Sequence, residues 1–441
     1  MKIQLTDTKK EIIKWSVYWA FFIVVYIVLS VVFGNYGFYA LILVLAALNF
    51  IVRLALIYPF KKLQIKWLKY TIIAVLNLAI LGGLAGLLYA IIVSGTDYNE
   101  KYIDSLDYSV FEHTSEYSYD YDTGVYTVSS KNDECKVLQL TDIHICASVN
   151  TISTDRKAFD ACYEIIKEAQ PDLIIVTGDI VYPVPVQTFS NDNLEPMYQF
   201  CTFMNNVGIP WALTYGNHDT EAVAAYDSKT LSGLFNHFKS ENAPMLYADK
   251  QPDIYGRYNS YIRVENNDGT LNRVIFLIDS NDYVHGANKL NVYDSVHEDQ
   301  IQWYSDTLDA LEKENGAPVK SFVYMHIPFN AFAEAKALLD ANSTEVKYLF
   351  GSNGEGVSCP KNDSGFFDKI VEKGSTQAVF VGHDHLNNTG VNYKGVDLVY
   401  GKSIDYIAYP NIANITGQRG GTIVTLSKSG EYSISQINYE K

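Results

Sequence analysis

From residue 137 onward, short apolar runs alternate with stretches in which apolar positions recur every three or four residues. The runs at 137–140, 173–177, 211–215, 274–279, 322–325 and 378–381 are strand-length and rich in β-branched and aromatic residues. Residues 155–169 and 299–314 carry a helical period instead. Strands separated by amphipathic helices need crossover connections, so the pattern predicts an α/β domain of about 300 residues with at least partly parallel sheets. No internal repeat is visible.

The first hundred residues read differently. Residues 15–52 hold no charged side chain and are interrupted only by Gly34-Asn35-Tyr36-Gly37; residues 70–93 form a second uncharged stretch. At a rise of about 1.5 Å per residue, segments 15–33 and 70–93 each match a hydrocarbon core of about 30 Å. The middle segment, 36–58, carries Asn49 and Arg53, which leaves a re-entrant or surface-lying course open beside a full crossing. The expectation is a membrane anchor of about three transmembrane helices over residues 1–94. It is retained, because no small-residue cleavage site follows the first segment.

Lys2, Lys9, Lys10 and Lys14 precede the first segment, and Lys61, Lys62, Lys66 and Lys69 lie between the second and third. By the positive-inside rule this predicts an integral plasma-membrane protein, in contact with bilayer lipid, whose body after Ser94 is extracytoplasmic. Were the middle segment not to cross, the body would be cytosolic. A Tyr/Ser/Asp-rich stretch over 95–134 reads as a spacer, with one strand near 125–129, and the body runs from 135 to 441.

Charge sharpens this division. Residues 1–70 carry nine Lys/Arg against Asp7 and Glu11, which, with −16 for the whole chain, leaves −23 on residues 71–441. So acidic a body excludes nucleic-acid binding through a broad basic surface. The five cysteines show no C-x-x-C spacing, so neither a zinc ribbon nor a disulfide framework is indicated.

Chemistry concentrates where the predicted strands end. The first ends in Asp142-Ile143-His144, the second in Gly178-Asp179-Ile180-Val181-Tyr182, and the third in Gly216-Asn217-His218-Asp219. Further on come His326 and Gly382-His383-Asp384-His385, so five of the nine histidines sit in these motifs. Polar groups beyond the carboxyl ends of strands are where open α/β sheets bind ligands. On extended chain, with its period of two, Asp142 and His144 share a side, as do His383 and His385, giving two chelating pairs. Imidazole with carboxylate suits Zn, Mn or Fe, whereas Mg or Ca would take oxygens almost alone.

The ordered set D-x-H, G-D, G-N-H-D, H, G-H-x-H resembles that of the calcineurin-like metallophosphoesterases from about residue 137 to 426. Residues 255–261, 274–282, 297–304 and 326–332 are similar to the purple-acid-phosphatase-related, phosphoprotein-phosphatase-like branch. The resemblance implies a four-layer α/β/β/α sandwich, here preceded by transmembrane helices. It further implies two metal ions and hydrolysis of a phosphate mono- or diester by a hydroxide bridging them. It assigns Asp142, His144 and His385 to the first metal, Asp179 to both, and Asn217, His326 and His383 to the second.

By the same resemblance His218 is the catalytic acid or phosphate stabiliser. Asp219 then either holds its other ring nitrogen or caps a turn. Gly216 lets the chain turn close to the metals. Tyr182 fits the position of a ferric-iron ligand in true purple acid phosphatases, but those enzymes have Gly where this chain has His144, so Tyr182 is expected to be a wall residue. Arg257, Tyr182 and Asn281 are candidate substrate contacts, with a plain surface cation the other reading of Arg257; the family pattern alone places Asn281 and Asp282 along the pocket. A protein phosphatase in signalling and a noncatalytic membrane receptor or scaffold that keeps the fold are the alternative functions.

Overall fold

The computed structural model describes residues 7–33, 36–52, 64–239, 243–284, 292–409, 411–414 and 417–439. Their helices are α1 (Asp7–Phe33), α2 (Tyr36–Val52), α3 (Lys66–Asp104), α4 (Ile152–Ala169), α5 (Pro185–Thr188), α6 (Leu194–Val207), α7 (Ser228–Phe238), α8 (Glu298–Asn315), α9 (Asn330–Asp340) and α10 (Phe366–Lys373). The strands are β1 (Ser115–Asp120), β2 (Val125–Ser130), β3 (Glu134–Leu140), β4 (Leu173–Thr177), β5 (Trp211–Thr214), β6 (Ser260–Glu265) and β7 (Leu271–Leu277). They continue with β8 (Ser321–Tyr324), β9 (Val346–Phe350), β10 (Thr376–Val381), β11 (Gly390–Tyr393), β12 (Val396–Tyr400), β13 (Gly420–Ser427) and β14 (Tyr432–Asn438).

Two mixed sheets result, in the orders β14-β13-β3-β4-β5 and β1-β2-β6-β7-β8-β10-β12-β11-β9. Side-chain alternation explains how they stack. Ile275, Leu277, Phe322, Tyr324, Ala378 and Phe380 point from the large sheet into the core it shares with the small one. Their neighbours Val274, Phe276, Val323, Met325, Val379 and Val381 point the other way, into a second core under α8, α9 and α10. The small sheet is covered outside by α4 and α6, so β4 is buried at every position and its sequence is apolar throughout. The arrangement is the expected four-layer sandwich. α6 shows the local logic: Met197, Phe200, Phe203, Met204 and Val207 form one buried stripe, and Gly208 at φ 77° ends the helix.

The expected membrane anchor is corrected, and with it the transmembrane helices of the fold class, the bilayer-lipid contact, and the plasma-membrane placement with an extracytoplasmic body. Among the described residues no helix is long and apolar enough to cross a membrane. α1 opens on Asp7, Lys9, Lys10, Glu11 and Lys14, and α3 continues without a break into Asp97, Asn99, Glu100, Lys101 and Asp104. Arg53 lies outside the described residues.

α1 and α2 pack on one another through Trp15 against Phe50 and through the Tyr18 hydroxyl, which donates to the Ala46 carbonyl and accepts from Asn49. Val17, Phe21, Val75 and Leu78 are exposed on the helices that carry them. The last turn of α3 docks on the sandwich. Asn99 donates to Asp155 (3.0 Å) and Gln199 (3.2 Å), Tyr102 bonds Asp160, and Ile103 is buried.

The stretch 95–134, expected to be a spacer, carries this docked helix end and the β1-β2 hairpin, whose second strand pairs parallel with β6 at the edge of the large sheet. The cysteines are free thiols: Cys135, Cys146, Cys162 and Cys201 are buried, and Cys359 is partly so.

The stacking has one consequence for chemistry. β3, β4 and β5 run parallel, as do β8 and β10 in the other sheet. The loops leaving their carboxyl ends carry all five sequence motifs and meet at one edge of the sandwich.

Candidate metal centre

The loop after β3 is stitched to the loop after β4. The Asp179 carbonyl accepts the N–H groups of Ile143 (2.9 Å) and His144 (3.1 Å). These ladder-like bonds do not make the segment extended. Asp142, His144 and Asp179 have φ of 52°, 56° and 51°, and His383 has 75°. Asp142 and His144 therefore converge through left-handed backbone, and the period of two expected from an extended chain is not the cause. Left-handed conformations cost about 1–3 kcal/mol each for non-glycine residues, so the packed loops must hold them.

Glycine makes that packing possible. At Gly178 (φ 76°) a Cβ would lie 2.3 Å from the Gly216 nitrogen, and at Gly216 one would lie 2.1 Å from Asp179 Oδ1. The G-D and G-N-H-D loops are thus in backbone contact, and Gly216 serves close approach rather than a positive-φ turn.

Two clusters follow. Ligand atoms of Asp142, His144, Asp179 and His385 lie within 4.8 Å of one another, as do those of Asp179, His326 and His383, with Asp179 common to both. Asp179 Oδ2 is 3.3 Å from His144 Nε2 and 3.1 Å from His326 Nε2, while His385 Nε2 is 3.5 Å from Asp142 Oδ1. All six residues are buried, as is Asn217.

The donor set fits metal ions on its own evidence. Asn217 Oδ1 and His383 Nε2 are buried with no hydrogen-bond partner, and His326 Nε2 faces the shared Asp179 carboxylate; an unpaired buried group costs about 1–3 kcal/mol unless something binds there. Their other atoms are engaged so as to leave those free. Asn217 Nδ2 donates to the Tyr283 hydroxyl (3.0 Å), and His326 Nδ1 donates to the Thr177 carbonyl (2.7 Å). Burial and the neighbouring His326 push the His383 imidazole well below its usual pKa, which keeps it in the neutral form that ligates metals. Burial opposes ionisation of Asp179, yet the surrounding imidazoles, His326 first, hold it well below the usual carboxylate range. The clusters form a dinuclear metal-cofactor site.

The surrounding residues differ from several expectations. Asp219 does not reach His218. Fully buried, it accepts N–H bonds from Gly216, Asp179, Ile180 and Val181 at 2.8–3.1 Å, and so clamps the G-D loop. Glu221, three residues beyond His218 and not singled out from the sequence, contacts His218 Nδ1 instead; that i, i+3 spacing was the available signal. The His218 side chain stands 21 % exposed at the rim, its ring 5.5 Å from that of His144 and 4.8 Å from that of Tyr182. The Tyr182 hydroxyl donates to Gln187 Oε1 (2.5 Å) while its ring covers His144, the geometry of a wall.

Arg257, a candidate substrate contact, has its five donors spent on Asp279, Gly216, Thr220 and Asn281. Asn281 is equally occupied, donating its amide to Ser295 and Gln300 at a φ of 64°. Asp282 accepts the Tyr283 N–H. Aromatic rings that the sequence did not single out complete the walls: Tyr293 meets the His383 ring edge-on at 4.6 Å, Tyr283 stacks on Tyr293, and Tyr409 stacks on His385.

A profile of the calcineurin-like phosphoesterases matches residues 135–387. The chain belongs to the calcineurin-like phosphoesterase family. With both clusters intact, this phosphoesterase is a metal-dependent hydrolase. A relative in Arabidopsis thaliana named probable inactive purple acid phosphatase 14 is 30% identical over 300 residues, covering 64% of this chain and 69% of its own. Phosphatase DCR2 of Saccharomyces cerevisiae is 23% identical over 284 residues, covering 60% of this chain and 47% of its own. A dimetal phosphatase of Danio rerio superposes with a TM-score of 0.44 at 12% identity, covering 69% of this chain and 99% of its own.

Proposed function

We propose that this chain hydrolyses phosphate mono- or diesters, with Asp142, His144, Asp179 and His385 holding one metal ion and Asp179, Asn217, His326 and His383 the other. The observation that carries the reading is the pair of buried clusters sharing Asp179, beside which Asn217 Oδ1 and His383 Nε2 are buried with no hydrogen-bond partner. When bound, two such ions would supply charge neutralisation at phosphorus and lower the pKa of a water molecule.

The protein's own groups do the rest. Tyr283 fixes the Asn217 amide so that its oxygen, which adds no negative charge, is the atom presented. The Asp179 carboxylate also accepts the His218 N–H (2.8 Å), which ties the rim histidine to the shared ligand. With Nδ1 engaged by Glu221, His218 has Nε2 left to give a proton to the leaving alkoxide or to bind the developing charge. Tyr182, Tyr293 and Tyr409 pack against the ligand imidazoles and screen them from bulk water.

A noncatalytic role draws on the word inactive in the name of the Arabidopsis relative; against it stand the seven ligand positions, each filled here by a competent side chain. Hydrolysis of 4-nitrophenyl phosphate and bis(4-nitrophenyl) phosphate by the full chain, after chelation and re-addition of Mn, Zn or Fe, separates the readings and the two ester classes. Turnover restored by metal and absent in Asp179→Asn is expected. Two bound metals with no turnover under any of these conditions would sink the catalytic reading.

A further inference from the structure

We propose that Asp405 is a positioning residue that holds the imidazoles of His144 and His385 as one unit for the first metal; the inference rests on the ligand assignment above. Asp405 lies beyond residues 135–387, the segment that the family profile matches, and no motif marks it. Its fully buried carboxylate lies between two rings at ion-pair distance, with no aligned hydrogen bond to either Nδ1. Oδ1 is 3.1 Å from His144 Nδ1, and Oδ2 is 2.9 Å from His385 Nδ1. The opposite nitrogens of the same rings face the ligand carboxylates, His144 Nε2 towards Asp179 and His385 Nε2 towards Asp142. A carboxylate facing both Nδ1 atoms selects the tautomer protonated there, leaving both Nε2 lone pairs for the metal and making them better donors.

The carboxylate is itself fixed. Asp405 Oδ1 accepts the N–H groups of Ile407 (2.7 Å) and Ala408 (2.9 Å), and the backbone carbonyl of Asp405 accepts from Arg419 Nε (3.0 Å) and Nη2 (2.9 Å). Ser403 bridges Thr141 in parallel, and Ile404 N–H donates to the Thr141 carbonyl (3.1 Å). Asp405 is thereby tied to the residue preceding Asp142, so the two histidines are referenced to the strand that supplies their neighbouring ligand. In the second cluster, among the described residues, the Nδ1 of His326 backs onto the neutral Thr177 carbonyl instead. The support is thus anionic behind His144 and His385 and neutral behind His326.

Asparagine at 405 has nearly the same shape but one acceptor oxygen, so its NH₂ would face the N–H of one imidazole and force that ring out of its ligating tautomer. The test is metal binding by the full chain, with Co(II) followed by its visible absorption and Zn(II) by calorimetry. Asp405→Asn is compared with Asp405, both in a His326→Ala background so that only the first cluster is complete. The expected result is an affinity about 10–100-fold weaker in the Asn variant, an altered Co(II) spectrum, and recovery of most of the affinity in Asp405→Glu. An affinity and spectrum indistinguishable from those with Asp405 would overturn the proposal, as would a lower melting temperature of the metal-free chain with metal binding unchanged. Should the Asn variant not fold, ¹⁵N–¹H correlation of the wild-type histidines in the Zn(II)-loaded chain decides the matter: Nδ1–H at both His144 and His385 supports it, and loss of Nδ1–H at either, with Nδ1 as the metal ligand, overturns it. None of these readouts needs turnover, so a chain that binds metals but hydrolyses nothing would fail the proposed function and leave this test standing.

Discussion

Replacing Arg257 by alanine removes five side-chain hydrogen bonds at once: two in a fork to Asp279, and one each to the Gly216 carbonyl, the Thr220 hydroxyl and the Asn281 carbonyl, at 2.6–3.0 Å. The Asp279 side chain is 0 % exposed, and Arg257 is its one ion-pair partner among the described residues. Breaking a buried pair from one side leaves an uncompensated charge and costs about 3–5 kcal/mol. Backbone N–H groups of Arg257 and Asn281 still donate to Asp279, and Arg257 is 11 % exposed, so water can enter the gap; both place the cost at the lower end of that range. At roughly 2–4 °C per kcal/mol for a domain of this size, the melting temperature of the metal-free chain should fall on the order of 10 °C.

KM for a phosphate ester should barely change, because the guanidinium has no donor left to offer substrate. Arg257→Lys keeps the charge but loses the planar fork, and should fall between the two. Urea unfolding and steady-state kinetics on the same variants decide the point. A change in unfolding free energy below about 1 kcal/mol, together with a tenfold rise in KM, would return Arg257 to substrate binding and refute the assignment as a rivet.

His218→Ala should keep both metals and lose about 10²–10⁴ in kcat, the span of a missing general acid, with Glu221→Gln losing part of it; full activity with two metals bound removes His218 from the mechanism. Tyr182→Phe should leave metal content intact and activity within about threefold, since the lost hydrogen bond goes to Gln187 and is worth about 1 kcal/mol; loss of the first metal would instead make Tyr182 a ligand. Burial pushes Asp155 from 3.8 up to about 7, although Asn99, Thr151, Cys146 and Ala147 donate to it. With the folded value above the unfolded one, its contribution to stability is full below pH 3.8 and is lost as pH rises through about 7. Asp155→Asn should therefore flatten the stability profile of the metal-free chain across that window, and an unchanged slope by chemical denaturation at several pH values would show that Asp155 is not the titrating group. Asn99→Ala, which takes from Asp155 a bond donated by α3, should lower stability by about 1–3 kcal/mol in the same unfolding assay.

Much of the sandwich was legible in the chain because burial writes itself into sequence locally. A strand covered on both faces must be apolar at every position, as β4 is, and a helix lying on a sheet must repeat its apolar stripe, as α6 does. The metal-type residues were legible for a related reason: each sits within a few positions of a strand end, so its place at the sheet edge follows from the strand alone. Local reading failed where a side chain's partner comes from elsewhere in the fold. Asp219 is adjacent to His218, yet loop conformation turns it onto the amides of the G-D segment and gives Glu221 the imidazole. Arg257 looks free in sequence and is saturated in space by groups from two other loops. The N-terminal hydropathy likewise described composition, while the docking of the last turn of α3 on the sandwich was decided by the folded chain. The sequence by itself determined which residues are buried and which can ligate a metal, since those are properties of side-chain chemistry and short-range period. Only the tertiary structure decided which atom of each ligand is free, through left-handed loop backbones and a carboxylate at position 405 that no spacing rule connects to His144 or His385.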